Sequence, residues 1–70
     1  MKKRKKIISI VTPCYNEEKN VEELYRQVRK IFEGLSDYSY EHIFIDNASK
    51  DDTVLILKEL AKKDRNIKII

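Results

Sequence analysis

Apolar residues fall along the chain in groups whose spacing changes from one group to the next. Ile7-Ile8-Ser9-Ile10-Val11 is a run of apolar or small residues without polar alternation, closed by Thr12-Pro13. Such a run predicts a strand buried on both faces, as in a parallel sheet. Proline donates no ladder hydrogen bond, so Pro13 is expected to end the strand and pin the following turn. Val21, Leu24, Val28, Ile31, Phe32 and Leu35 then recur at a 3.6-residue period, which predicts a helix over 20–35. Asn20 is expected as its N-cap, paired with Glu23 in a capping-box-like arrangement, and Gly34 as a left-handed C-terminal cap. Glu22 and Glu23 near its start and Arg29 and Lys30 nearer its end suit the helix dipole.

Ser36-Asp37-Tyr38-Ser39 reads as a turn, and 40–45 as a second strand in which Tyr40, His42 and Phe44 alternate with Glu41, Ile43 and Ile45. A polar loop, 46–53, leads into a second helix, with Ser49 or Asp51 as candidate caps. The buried stripe of that helix is Val54, Leu57, Leu60 and Ala61, with Ile56 alongside. Asp64-Arg65-Asn66 breaks it, and Ile67-Lys68-Ile69-Ile70 begins a third strand. The order β-α-β-α-β, with short connections, predicts parallel strands and right-handed crossovers. The expected fold class is therefore α/β, one half of a doubly wound parallel sheet. In such sheets ligands bind beyond the carboxyl ends of the strands, which puts Tyr15, Asn16 and Glu17 in the expected place.

Seventy residues make one small domain, which buries only about 60% of its unfolded surface. A hydrophobic content of 41% against 39% charged residues is a globular balance. No apolar run approaches the roughly 20 residues needed to span a bilayer, and the apolar stretch after the basic start is too short for a signal peptide. One cysteine permits no internal disulfide, which fits a reducing cytoplasm. Residues 1–6 form a basic lead-in and 7–70 the domain proper. Residues 2–6 hold five of the 15 basic residues, leaving 10 against 12 acidic ones, so the domain is not a nucleic-acid binder. The lead-in reads as a solvated arm, or as a peripheral contact with anionic lipid at the inner face of the cytoplasmic membrane. Three strands with unprotected edges predict an N-terminal piece of a longer enzyme, and they also offer a route to self-association.

The single glycine excludes both a dinucleotide-binding Gly-rich turn and a P-loop, because each needs backbone amides in close approach to phosphate. Cys14 has no histidine partner and no second cysteine, and reads as inert. His42, in mid-strand, reads as a packed or edge residue, and Asp51 and Asp52 as charges at a helix start.

Val11-Thr12-Pro13-Cys14-Tyr15-Asn16-Glu17-Glu18, followed by Phe44-Ile45-Asp46-Asn47-Ala48-Ser49-Lys50-Asp51-Asp52-Thr53, resembles the opening of family-2 glycosyltransferases. The wording is closest to bacterial polyprenyl-phosphate sugar transferases of the dolichyl-phosphate mannose synthase type, and the likeness runs from Ile7 to Ile70. It implies the Rossmann-like nucleotide-binding half of a GT-A fold, here truncated, and an inverting transfer from a nucleotide sugar to a polyprenyl phosphate or a saccharide. A UDP-sugar donor is favoured over a GDP-sugar. The resemblance also implies a divalent metal, manganese or magnesium, held in the full enzyme by an Asp-x-Asp motif beyond this chain, as is the general base. These 70 residues alone are then expected to transfer no sugar.

A uracil ring offers a face for stacking and an N3–H donor between two carbonyls, and a ribose offers two hydroxyls. A carboxylate at a strand end accepts well from such donors. By resemblance Asp46 takes N3–H, Glu17 the ribose hydroxyls, and Tyr15 packs on the base, while Thr12 and Pro13 shape the pocket floor. Where the family often has Asp-Asp-Gly-Ser, this chain has Asp46-Asn47-Ala48-Ser49, which keeps the first acid. Plainer readings stand beside these. Glu17 and Glu18 could be charges preceding a helix, Asp46 a turn or capping residue, and Asn16 a brace for its loop. Two other functions compete: a non-catalytic binding or assembly module, and a response-regulator-like phosphoacceptor domain with Asp46 as acceptor. The second of these lacks its early acidic pair, which Thr12-Pro13 replaces.

Overall fold

The computed structural model describes residues 6–70, so residues 1–5, and with them most of the basic lead-in, lie outside the described residues. The chain runs β1 (Lys6–Cys14), α1 (Val21–Glu33), β2 (Tyr38–Asp46), α2 (Thr53–Lys63) and β3 (Ile67–Ile69). The strands form one sheet in the order β1-β2-β3, both pairs parallel. This is the β-α-β-α-β half-sheet that the alternation of periodicities predicts. The register sets Ile10 opposite His42, Thr12 opposite Phe44 and Cys14 opposite Asp46.

Residues of even number in β1 and β2 face the helices. Cys14, His42 and Phe44 are buried there, together with Val21 and Tyr25 of α1, Leu57 and Leu60 of α2, and Ile67 of β3. Leu24, Ile56, Ala61 and Ile69 close the edges of this core. Both helices therefore lie on one face of the sheet. On the opposite face Ile7, Val11 and Ile45 are exposed, so β1 is not buried on both sides as its unbroken apolar run predicts. That run needs a layer on each face, and the described residues supply one. Pro13 stands inside β1, one residue before its end, and as β1 is an edge strand its missing N–H costs no ladder bond on the free side.

The caps differ in detail from the sequence expectation. Asn20 precedes α1, but its side chain makes no cap bond and its amide nitrogen Nδ2 donates instead to Glu17 Oε2 at 3.0 Å. The backbone carbonyl of Glu17 closes the turn, accepting from the N–H groups of both Asn20 and Val21 at 2.9 Å. Glu23 accepts from Gln27 rather than returning to Asn20. Gly34 sits in the right-handed region at φ −88°, and its N–H donates to the Ile31 carbonyl in a tight last turn. Tyr25 is buried too: four residues after Val21 and seven before Phe32, it lies on the same helix face, although the run of apolar positions leaves it out. Its hydroxyl donates to Asp64 Oδ2 and accepts from Arg29, each at 3.0 Å, so the ring is buried while its polar tip stays paired. No helix among the described residues is long and apolar enough to cross a membrane.

Candidate functional site

The carboxyl ends of β1 and β2 open into two loops, 15–20 and 47–52, lying side by side because the strands are parallel neighbours. Each loop contains one residue in the left-handed region, Asn16 at φ 51° and Ala48 at φ 58°. Asparagine tolerates that conformation, whereas for alanine it costs roughly 1–2 kcal/mol. The loops offset the cost by bonding to each other. The Asn16 N–H donates to Ser49 Oγ at 2.9 Å, and the Lys50 N–H returns to Asn16 Oδ1 at 2.8 Å. The Glu17 N–H donates to Thr53 Oγ1 at 2.9 Å, the Glu18 N–H to Asp51 Oδ2 at 3.2 Å, and the Asn47 N–H to the Cys14 carbonyl at 2.8 Å. Asn16 is thus a brace, as the plainer reading of it had it.

Asp46 closes its own loop. Its carboxylate accepts from the Ser49 N–H at 3.1 Å and from the Ser49 hydroxyl. An ionised carboxylate has about four acceptor sites, so two remain for a ligand. Glu17, Thr12 and Pro13 line a cleft of about 220 Å³ between β1 and α1, with Cys14, Asn20, Val21 and Leu24. Asp46 lies opposite Cys14, one strand over from that cleft. Tyr15 is 53% exposed and lies outside the cleft lining. Three of the five sequence-derived binding residues therefore share one cleft, Asp46 adjoins it, and Tyr15 stands apart. A larger hollow of about 430 Å³, against Phe32, Tyr38 and Tyr40, lies at the amino ends of the strands, away from the edge where such sheets bind ligands.

The local charge is acidic, from Glu17, Glu18, Asp46, Asp51 and Asp52. Burial raises the pKa of the Cys14 thiol above its ordinary value, and the nearby charges of Asp46 and Glu17 push it further in the same direction. The thiol therefore stays protonated at neutral pH and is neither nucleophile nor ligand. Such a site suits hydrogen-bond donors such as ribose hydroxyls and an imide N–H, and repels an unneutralised diphosphate. Among the described residues no three His, Cys, Asp or Glu side chains gather closely enough to hold a metal ion.

Asp51 holds the start of α2, where its own neighbour Asp52 makes no side-chain cap bond. Partial desolvation pushes the Asp51 carboxyl upward, but bonds from the Thr53 hydroxyl and N–H and from the Glu18 N–H outweigh it and hold the group below its ordinary value. A depressed carboxyl stabilises the fold fully above its unfolded value near pH 4, and that contribution fades as pH falls through the lower folded value. Asp51→Asn is therefore expected to be less stable than the parent at pH 7, with the gap closing below about pH 4. Urea unfolding at a series of pH values checks this, and a gap that stays constant down to pH 2 contradicts it.

Ser49, Thr53 and His42 are the structural residues that sequence reasoning missed as site builders. Ser49 and Thr53 sit in the quoted motif, and Ser49 is also a candidate helix cap, but neither signal says which atoms they bond. His42 carries none, and the partners of Thr53 and His42 lie 36 and 30 positions away.

Comparison with known proteins follows the same stretch. Residues 9–70 match the family described as Glycosyl transferase family 2. The putative glycosyltransferase CsbB of Bacillus subtilis is 39% identical over 64 residues, covering 91% of this chain and 19% of that protein. A prophage bactoprenol glucosyl transferase homolog of Escherichia coli and the bactoprenol glucosyl transferase of Shigella phage SfX are each 44% identical over 57 residues, covering 81% of this chain and 18% of theirs. The chain spans about a fifth of the length of the curated relatives it matches.

Proposed function

The chain belongs to glycosyl transferase family 2, and on that footing we propose that it forms the donor-nucleoside-binding part of an inverting, nucleotide-sugar-dependent glycosyltransferase. The observation that carries this reading is the placement of Glu17 and Asp46 at adjacent carboxyl strand ends, beside a cleft that Thr12 and Pro13 help to line. Glu17 accepts from ribose hydroxyls and Asp46 from the N3–H of uracil, and Tyr15, exposed at the rim, packs on the base. UDP-sugars are the favoured donors over GDP-sugars. The acceptor is a polyprenyl phosphate, a reading supported by the relatives named as bactoprenol glucosyl transferases. The diphosphate is met by manganese or magnesium held on residues outside this chain, because among the described residues no three carboxylate, histidine or cysteine side chains gather to hold a metal ion. The enzyme works at the inner face of the cytoplasmic membrane, and these 70 residues transfer no sugar unaided.

Titrating the isotope-labelled chain with UDP and then GDP, each with and without magnesium, tests the reading by NMR. Amide shifts confined to residues 12–17 and 46–49, from UDP and not from GDP, are expected, and Asp46→Asn should remove them. A folded spectrum that ignores both nucleotides contradicts a uridine pocket in this part of the protein. The exposed Ile7, Val11 and Ile45 favour a second reading, an assembly module. A mass that rises with concentration, together with silence toward uridine nucleotides, is the outcome that would put it first.

A further inference from the structure

Beneath the cleft lies a polar side chain that the contacts above leave out. His42 is fully buried, stacked on Phe44 with ring centroids 4.0 Å apart and planes at 28°. Its Nε2 lies 2.9 Å from Thr12 Oγ1, and its Nδ1, also buried, has no hydrogen-bond partner among the described residues. In the sheet His42 sits between Ile10 of β1 and Ile67 of β3, so apolar chains flank it on both sides. Burial lowers its pKa below the ordinary histidine value, and the ring is neutral at pH 7.

A neutral imidazole carries one N–H, and the two tautomers differ in what they leave unpaired. With the proton on Nδ1, a buried donor has nothing to bond. With the proton on Nε2, only an acceptor lone pair is left over, the less costly of the two defects. Nε2–H therefore donates to Thr12 Oγ1. A hydroxyl accepting that bond keeps its own proton for another acceptor, and Thr12 is a wall of the 220 Å³ cleft.

We propose that His42 is a positioning residue that turns the Thr12 hydroxyl into a fixed hydrogen-bond donor toward the cleft, selecting ligands with an acceptor oxygen at that point. A carbonyl of the base or a ribose oxygen meets this requirement. The proposal rests on the nucleoside-binding reading above. It also explains why a histidine stands in an otherwise apolar strand interior, where a phenylalanine would pack without an orphaned atom.

The test combines a tautomer assignment with a double-mutant cycle on the full chain, with UDP as the probe. Ring nitrogen shifts are expected to show Nε2 protonated and Nδ1 bare at pH 7. Thr12→Val and His42→Phe should each weaken UDP binding by roughly threefold to tenfold, the range of one neutral hydrogen bond. In the Thr12→Val background His42→Phe should then cost nothing further, a coupling that a purely structural role would not produce. Thr12→Ser, which keeps the hydroxyl, should bind nearly as the parent does. A proton on Nδ1 overturns the proposal, as does a His42→Phe penalty that persists without the Thr12 hydroxyl. If the parent binds UDP and neither change weakens it, the positioning role falls while the nucleoside reading stands. If the folded parent ignores UDP altogether, both fall together. Should His42→Phe fail to fold, the tautomer and the Thr12 pair of variants decide alone.

Discussion

Phe44→Ala is expected to lose most of the folding stability of this chain. Phe44 is fully buried in the only core among the described residues, in one cluster with Val21 and Tyr25 of α1 and Leu57 and Leu60 of α2. Truncating a buried phenylalanine to alanine costs about 3–5 kcal/mol, from lost transfer energy and from the cavity left behind. A domain of this length has about 4–10 kcal/mol in total. The exposed sheet face gives no second core to fall back on. The expected outcome is a urea midpoint shifted to near zero and broadened amide signals, whereas Leu55→Ala, at a residue 62% exposed, should move the midpoint little. A Phe44→Ala chain with a midpoint close to the parent's would mean that the helices are held to the sheet by something other than this cluster.

The same core shows what periodicity can and cannot disclose. The 3.6-residue stripe of α1 and the alternation of β2 are local properties: the first placed Val21 and Leu24 on the inner face, and the second put His42 and Phe44 on one face together, without saying that this face is the inner one. The unbroken apolar run of β1 carried a further implication, a covered second face, and the described residues place no layer there. Ile31 illustrates the opposite limit, since it continues the stripe yet is 61% exposed: it sits at the edge of the stripe, while its neighbour Phe32 stacks on Tyr40 of β2. Tyr25 shares the face of the stripe but does not register in it, because hydropathy weighs the whole side chain, while the hydroxyl is paired with two polar partners 4 and 39 positions away.

The placement of the candidate site residues was legible to the same depth. A carboxylate at or beyond the end of each of two parallel strands, Asp46 and Glu17, could be read once β-α-β connectivity made the strands neighbours. The scaffold that holds them could not. Pairs such as Asn16 with Ser49 and Glu17 with Thr53 span 33 and 36 positions, and no periodicity says which loop atom meets which. They follow from the register, which sets Cys14 against Asp46 and so brings loop 15–20 alongside loop 47–52. Serine, threonine and aspartate in a loop are individually ordinary, and only the register turns them into a lattice of bonds.

That lattice has one member whose loss should reach furthest. Thr53 is fully buried at the first position of α2, where its hydroxyl accepts from the Glu17 N–H at 2.9 Å and donates to Asp51. Thr53→Val keeps the side-chain shape and removes both bonds, leaving the Glu17 N–H without its partner and Asp51 without one of its donors. Leaving a buried donor unpaired costs about 1–3 kcal/mol, a large share of the stability available to so small a domain. The Glu17 amide should be protected from hydrogen exchange in the parent and exchange freely in the variant, and UDP shifts at residues 12–17 should shrink because Glu17 is no longer held at the cleft. Thr53→Ser keeps the hydroxyl and should retain that protection even though it gives up a methyl group to the core. The two variants separate hydrogen bonding from packing, since valine fills the space without the bond and serine makes the bond without filling the space. If valine leaves the Glu17 amide protected, Glu17 is held by its carbonyl, which closes the turn into α1, and not by the bridge to α2.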